Sequence, residues 1–300
     1  MPRRASARRP GLRLGVLATV AVAAFAVGLA VGVGVPRGPG PAPAPPRVER
    51  PRPTPPPAPR APRPERPRAA PPTPARSPAA PVARVVIIFD DAGGSLEDVE
   101  AIIGIGRPVT VAVLPGLAFS AEVARRARAA GLEVLLHLPI EATADNDKLG
   151  PGAVRVAMSD DEIRDVVRTG LASVPGAVGV NNHMGSRGTA DARIMRAVLD
   201  VVRERGLIFV DSRTTKETVA EALAAEMGVP TTRRHVFLDN QDDEGAIRGE
   251  VRRLIALARE RGEAVAIGHA PRRTPRVIAG MLEEFDRQGV QFVPLSALVR

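Results

Sequence analysis

Side chains that could bind a metal or transfer protons follow several short apolar runs of this chain. Asp90 and Asp91 come directly after VVIIF. His137 ends the run LEVLLHL, and His269 ends AVAIGH, while His183 lies in the motif NNHMGSR. A set of Asp and His without Cys suits zinc or a similar divalent ion with an open position for water. A free carboxylate beside such an ion can take a proton from water.

Other chemistry is less favoured by the same residue types. His235 opens the run VFLD rather than ending a run, so we expect it at the opposite end of the sheet, in a structural role. A Ser-His-Asp triad would need an activated serine, but neither Ser186 nor Ser212 lies in a G-x-S-x-G elbow. The absence of Cys excludes a thiol nucleophile, a Cys-ligated zinc and a disulfide framework.

The elements that must position these side chains are apolar, β-branched runs that alternate with amphipathic stretches from residue 83 onward. The pattern predicts buried parallel strands joined by helices, hence an α/β fold. Polar residues follow most of the strands: Asp90, Asp91, His137, Asn181, Asn182, His183, Asp211, Asp239 and His269. A barrel brings all such strand ends to one face, whereas an open sheet gathers only those at its switch point. We therefore expect a (β/α)7-8 barrel of parallel strands.

Charge is unevenly distributed along the 300 residues, whose formal net charge is +9. Residues 1–81 contain 14 Arg, no Lys and two Glu, whereas the remainder contains 28 Lys plus Arg against 31 Asp plus Glu. A nucleic-acid-binding domain normally carries its basic patch on the fold. We therefore expect no nucleic-acid partner. A nucleotide site is not expected either, because no glycine-rich phosphate motif follows the first predicted strand.

The first 35 residues have the pattern of a membrane anchor. Five Arg precede an uncharged run of 22 residues, from Leu14 to Val35. A helix of this length spans roughly 33 Å, which matches a hydrocarbon core of ~30 Å. Because a basic flank stays cytoplasmic, we expect a single-pass inner-membrane protein whose folded domain lies in the periplasm or outside the cell. A cleaved signal peptide is the alternative, although its apolar region would span only about 7–15 residues.

Residues 36–82 form a predicted linker, and residues 83–300 form the predicted folded domain. Residues 36–81 contain 20 Pro and nine Arg. Proline at this density removes backbone donors and fixes φ, so we expect a disordered, semi-rigid polyproline spacer. The spacer is either a solvated stalk or a segment whose arginines contact anionic envelope polymers or lipid head groups.

The motifs IIFDDAG, VTVAVLP, EVLLHLPIE, GVNNHMGSR, VDSRTT and AIGHAP, in this order, resemble the divergent polysaccharide deacetylase family over about residues 84–298. That family is distantly similar to the NodB-type carbohydrate esterases, which have a distorted (β/α) barrel and remove acetyl groups from N-acetylated sugars with a bound divalent metal. The resemblance implies a metal-dependent hydrolase, with zinc as the expected ion and an envelope polysaccharide or peptidoglycan fragment as the partner.

The resemblance also implies roles for individual residues. Asp90 resembles the catalytic base of the FDD motif, and Asp91 resembles its metal-binding carboxylate. His137 corresponds to the first metal-binding His. His269 resembles the His that donates a proton to the leaving amine.

The chain departs from the esterase pattern at other positions. The second His of the H-x-x-x-H motif is replaced by Glu141, so the missing metal ligand is expected from His183 or from Glu141 itself. Arg187 or Arg213 is expected to replace the arginine that orients the base. Asp211, at a strand end, completes the expected catalytic set.

The chain contains no Trp and no Tyr, the side chains on which sugar rings usually stack. Phe119 and the loop of residues 139–158 are expected to wall the site, and the length of the loop suits a lid. A degenerate barrel that binds envelope glycan or a protein partner without catalysis is therefore the alternative function.

Overall fold

A computed structural model describes residues 82–299. Residues 1–81, which contain the expected membrane anchor and all but the last residue of the expected linker, lie outside the described residues. Between residues 82 and 299, no helix is both long enough and apolar enough to span a bilayer.

Within residues 82–299, nine strands pair in parallel to form one sheet. They are β1 Ala83–Ala92, β2 Thr110–Val113, β3 Glu133–Ile140, β4 Gly179–Met184, β5 Ile208–Asp211, β6 Thr231–Arg233, β7 Val236–Phe237, β8 Glu263–His269 and β9 Val290–Phe292. The same part of the chain contains eight α-helices that connect them. They are α1 Leu96–Ile103, α2 Ser120–Ala129, α3 Asp160–Ser173, α4 Ala192–Glu204, α5 Ala220–Glu226, α6 Glu244–Arg261, α7 Thr274–Ala279 and α8 Leu282–Arg287.

Helix ends are set by local polar contacts. Ser159 and Glu162 form a reciprocal capping box in front of α3. Asp191 accepts hydrogen bonds from two backbone N–H groups at the start of α4. Gly262 ends α6 with a φ of 85°, a conformation that glycine adopts without a Cβ penalty, and the chain enters β8 at the next residue.

The sheet is curled, and its two edge strands are successive parts of one segment. The strand order is β6-β5-β4-β3-β2-β1-β8-β7, with β9 beside the first half of β1. The Arg234 N–H donates to the carbonyl of Asp211 in β5 at 3.0 Å, and the next N–H, that of His235, donates to Val265 in β8 at 2.9 Å. The expected parallel α/β fold is confirmed, as a curled half-barrel that is less regular than a (β/α)8 barrel.

The alternation of side chains along each strand decides which polar residues face the inside of the curl. In β1, Val85, Ile87 and Phe89 pack with the helices, whereas Val86 and Ile88 belong to the smaller inner cluster. The inner cluster also contains Leu135 of β3, Ile208 and Val210 of β5, and Val265 and Ile267 of β8. Two residues further along these strands, the inner positions are Asp90, His137, Ser212 and His269. The apolar floor therefore leads directly to a polar cluster at the carboxyl ends of the strands.

Candidate metal centre

Asp90 and Asp91 both reach the site because β1 is bulged at its end. Adjacent strand residues point to opposite faces, so Asp91 should point away from the side that Asp90 occupies. The pairing of β1 with β2 shifts between Phe89 and Ala92, and Asp91 has a φ of 61°. This left-handed conformation costs of order 1–3 kcal/mol for a residue other than glycine. The surrounding structure maintains it, and it turns the second carboxylate toward the histidines.

Asp91, His137 and His183 bring three donor atoms into a compact triangle. Asp91 Oδ1 lies 3.2 Å from His137 Nε2 and 2.9 Å from His183 Nδ1. The two histidine nitrogens are 3.2 Å apart. A tetrahedral zinc about 2.0–2.2 Å from each ligand holds its donors about 3.3 Å apart, so the triangle fits such an ion after a small expansion. These three residues could therefore hold a divalent metal.

The electrostatic state of Asp91 agrees with a ligand role. Its Oδ1 is buried without a well-oriented hydrogen-bond donor, although a buried polar atom normally has a partner. Burial raises the pKa of Asp91, but contacts with His137 and His183 outweigh burial and hold this pKa well below its usual range. The carboxylate is therefore charged, as a metal ligand must be.

A single buried amide links one proposed ligand to the proposed base. Asn181 Oδ1 lies 3.0 Å from His137 Nδ1, and Asn181 Nδ2 donates to Asp90 Oδ1 at 2.8 Å. With its proton on Nδ1, His137 presents a lone pair at Nε2 toward the triangle. Burial raises the pKa of Asp90, against the opposing charges of His137 and His269.

His269 faces the same space from β8, and a carboxylate orients it. Its Nδ1 lies 2.8 Å from Asp239 Oδ1, and its Nε2 lies 3.8 Å from Asp91 Oδ2. Asp239 Oδ2 also accepts bonds from the His269 N–H at 2.8 Å and from the Thr274 hydroxyl at 2.6 Å. Burial alone would lower the pKa of His269, but the bond and the charge of Asp239 outweigh burial and raise it. Strand position identified Asp239, but only the structure pairs it with His269.

Asp90, His137, His183 and His269 line a cavity of about 390 Å³. Its apolar wall is formed by Met184, Phe237 and Ile267. Phe119, expected to form a wall, lies instead before α2 with 40% of its surface exposed. The expected wall loop, residues 139–158, contributes no lining residue, and its Lys148 carbonyl lies 3.5 Å from His183 Nε2, on the outer side of that ring.

The structure brings His183 into the triangle and leaves Glu141 out. Glu141 Oε1 accepts a bond from Arg187 at 2.7 Å, and Oε2 accepts the Val156 N–H at 2.8 Å. Arg187 therefore does not lie beside the base, where it was expected. Positive φ values at Met184 and Gly185 turn the chain away from the site, and Arg187 pairs with Glu141 instead. Within residues 82–299, the side chain that donates a hydrogen bond to Asp90 is the amide of Asn181, and neither Arg187 nor Arg213 does so.

Asp211 is not brought into the cavity, contrary to its expected place among the catalytic residues. Val210 in β5 and Ser212 directly after it face the inside of the curl, so the Asp211 side chain between them points to the other face. One carboxylate oxygen accepts the Arg213 N–H at 2.8 Å, and the other accepts the Thr218 hydroxyl at 2.9 Å. This geometry suits Asp211 to shaping the loop after β5.

Sequence reasoning placed His235 correctly and missed its neighbour Arg234. His235 was expected away from the site, and its Nδ1 accepts the Val265 N–H at 3.0 Å near the start of β8. Arg234 was not singled out, yet it lines the cavity. Its side-chain Nε donates to the Ser212 carbonyl at 2.7 Å, and its Nη2 donates to the Arg213 carbonyl at 2.8 Å. The motif TTRRH gives no strand signal that would have placed it there.

Comparisons with known proteins agree with the fold and with the motif pattern. The family described as divergent polysaccharide deacetylase matches residues 87–299. An uncharacterised protein of Haemophilus influenzae is 32% identical over 218 residues, which cover 73% of this chain and 77% of that protein. The uncharacterised protein YibQ of Escherichia coli K12 is 37% identical over 199 residues, which cover 66% of this chain and 62% of YibQ.

A solved structure of an uncharacterised protein from Agrobacterium tumefaciens has a similar fold. Its TM-score is 0.69 at 24% sequence identity, and the match covers 74% of this chain and 92% of the other. The family match covers nearly all of the described residues, and it includes every strand end that forms the site. The chain belongs to the divergent polysaccharide deacetylase family.

Proposed function

We propose that this chain is a zinc-dependent hydrolase that removes acetyl groups from N-acetylated sugars of envelope polysaccharide or peptidoglycan. The supporting observation is the triangle of Asp91, His137 and His183 in a site that also contains Asp90 and His269. One carboxylate and two imidazoles are a donor set that would hold zinc. An ion held there would polarise a carbonyl as a Lewis acid and would lower the pKa of water.

Asp90 is the proposed general base. Its Oδ1 is held by Asn181, while Oδ2 lies 3.6 Å from His137 Nε2 and so faces the ligand triangle. Burial raises the pKa of Asp90, which makes its ionised form a stronger base. Asp90 takes a proton from the water whose oxygen attacks the acetamide carbonyl carbon.

His269 is the proposed general acid. Asp239 holds its Nδ1, which leaves Nε2 directed toward the triangle. The raised pKa of His269 favours the protonated ring near neutral pH. When the carbon–nitrogen bond breaks, His269 gives its Nε2 proton to the leaving nitrogen. The products are acetate and a free amino sugar.

Acetate release from chitin, peptidoglycan and exopolysaccharide fragments by the zinc-loaded chain tests this function. Asp90→Asn and His269→Ala should each lower turnover by about 10²–10⁴-fold while zinc stays bound. His235→Ala is the matched control, because that ring lies outside the cavity. No acetate from any fragment, with zinc bound, would favour the alternative of a barrel that binds glycan or a protein partner without catalysis.

The proposed place of action is the periplasm or the cell exterior. Residues 14–35 would anchor the chain in the inner membrane, and residues 36–82 would tether the domain to it. The support is the sequence pattern, an uncharged run of 22 residues after five Arg. Cell fractionation should place the intact chain with the inner membrane. A soluble product trimmed near residue 35 would contradict the anchor.

A further inference from the structure

Two cationic side chains line the cavity without a carboxylate partner. They are Arg213, in the loop after β5, and Arg234, between β6 and β7. Within residues 82–299, neither guanidinium has a carboxylate oxygen within 4.0 Å. The adjacent Arg233 differs, since its Nη1 lies 3.0 Å from Glu221. The cavity therefore contains positive charge that its own walls leave unpaired.

Arg234 is held rigidly by neutral groups. Its Nε and Nη2 donate to two backbone carbonyls, those of Ser212 and Arg213. Its Cζ lies 4.6 Å from the centre of the Phe237 ring. These contacts fix the plane of the guanidinium, and Nη1 finds no acceptor among the described residues. Because the carbonyls carry no net charge, they orient the cation without neutralising it.

The negative groups nearby do not compensate Arg234 fully. Burial lowers the pKa of Arg234, and the positive charge of Arg213 lowers it further. The negative charges of Asp90 and Asp211 act in the opposite direction but do not outweigh burial, so the pKa of Arg234 is lowered. Asp90 is engaged by Asn181, and Asp211 is engaged by its own loop. A half-buried cation without a counterion is costly, and an anionic ligand would relieve that cost.

Arg234 also lies at a useful distance from the proposed chemistry. The Arg234 guanidinium carbon lies 4.6 Å from the Phe237 ring centre, and that centre lies 5.4 Å from the centre of the His269 ring. The guanidinium carbon is therefore at most 10 Å from the His269 ring centre. A group bound at Arg234 would thus belong to the reacting sugar or to its neighbour.

We propose that Arg234, together with Arg213, binds a carboxylate of the substrate, so that the preferred substrate is an acidic N-acetylated sugar and not a neutral glucosamine polymer. The planar guanidinium matches a carboxylate, and charge-assisted bonds of this kind are strong. The inference rests on the proposed function, because it takes the cavity to be the sugar site. The carboxylate can come from a uronic acid or from a lactyl ether.

The test is calorimetric binding to the zinc-loaded full chain in an Asp90→Asn background, so that no ligand is consumed. The probes are an N-acetylglucosamine disaccharide with a uronic acid, one with N-acetylmuramic acid, and each of them with its carboxylate reduced to an alcohol. We expect at least one acid to bind about tenfold or more tightly than its alcohol. The acid with the larger ratio identifies the source of the carboxylate.

Arg234→Met should abolish this ratio while the alcohols still bind, and Arg234→Lys should keep part of it. Arg233→Met is the matched control and should keep the full ratio, because that side chain pairs with Glu221. If Arg234→Met does not fold, Arg213→Met replaces it and should lower the ratio severalfold.

Equal binding of acids and alcohols, loss of all binding, or a ratio that survives in both Arg234→Met and Arg213→Met would overturn the inference. Preference for the acid without acetate release by the chain with Asp90 intact would instead contradict the proposed hydrolysis and leave the carboxylate site standing.

Discussion

The amide of Asn181 contacts both His137, a proposed metal ligand, and Asp90, the proposed base. Replacement of Asn181 by Leu, which has the same branched shape, tests whether these contacts position the two groups. The change removes the bond to His137 Nδ1 at 3.0 Å and the bond to Asp90 Oδ1 at 2.8 Å, together with a longer bond to the Ser212 hydroxyl at 3.3 Å. Asn181 is fully buried, and His137 and Asp90 are nearly so, which makes the first two losses the costly ones. A buried polar group that is left without a hydrogen-bond partner costs about 1–3 kcal/mol. Two such groups, on His137 and Asp90, should lower the free energy of unfolding by about 2–6 kcal/mol.

Metal affinity should fall as well, because the His137 ring loses the partner that fixes its tautomer. The loss of such an outer partner typically costs about 10–100-fold in affinity. Urea unfolding measures the first effect, and competition with a zinc chelator on the folded variant measures the second. Thr189→Val is the control: it loses a buried bond to the Gly185 carbonyl at 2.8 Å and contacts no proposed ligand.

The control should lose about 1–3 kcal/mol of stability and keep its zinc affinity. If folded Asn181→Leu binds zinc as tightly as Thr189→Val, then Asn181 does not orient His137, and the proposed link between ligand and base is wrong.

Three further predictions concern other parts of the site. Asp239→Asn removes the group that raises the pKa of His269, so the alkaline limb of the acetate-release profile should move to lower pH; an unmoved limb would argue against His269 as the acid. Gly268→Ala places a Cβ 2.7 Å from a methyl group of α7 and should lower stability by about 1–3 kcal/mol in thermal melts, which an unchanged melt would contradict. His183→Ala should remove most bound zinc and His235→Ala should not, and equal zinc content by elemental analysis would reject this ligand set.

The sequence predicts the centre of the site well, for a physical reason. Parallel strands end on one face, and a polar residue directly after an apolar run marks such an end. The sequence alone therefore places Asp90, His137, His183 and His269 together. Asp91 required more, because its inward orientation depends on a bulge and a positive φ that the letters DD do not encode.

Other residues could not be placed from the sequence. Their positions depend on which face of a strand the side chain takes, or on the conformation of a turn. Asp211 follows an apolar run just as Asp90 does, yet its side chain points to the outer face of the sheet, because its neighbour Val210 faces the inside. Arg187 lies in the motif NNHMGSR, but the turn at Met184 carries it to Glu141. Arg234 lies in a segment with weak strand character, and its approach to the cavity depends on the curl of the whole sheet.

The pairing of β1 has a consequence for the order in which the domain assembles. Among the strands of residues 82–299, β1 is synthesised first, yet it pairs with β8 and with β9, the last two of them. Arg84 and Glu263, which face each other in this pairing, are 179 residues apart in the chain. Contacts across such separations are slow to form, and unpaired strand edges are prone to aggregation in the meantime. The pairing of β1 therefore stays incomplete until β8 and β9 have left the ribosome, and completion of the sheet has to wait for these two strands.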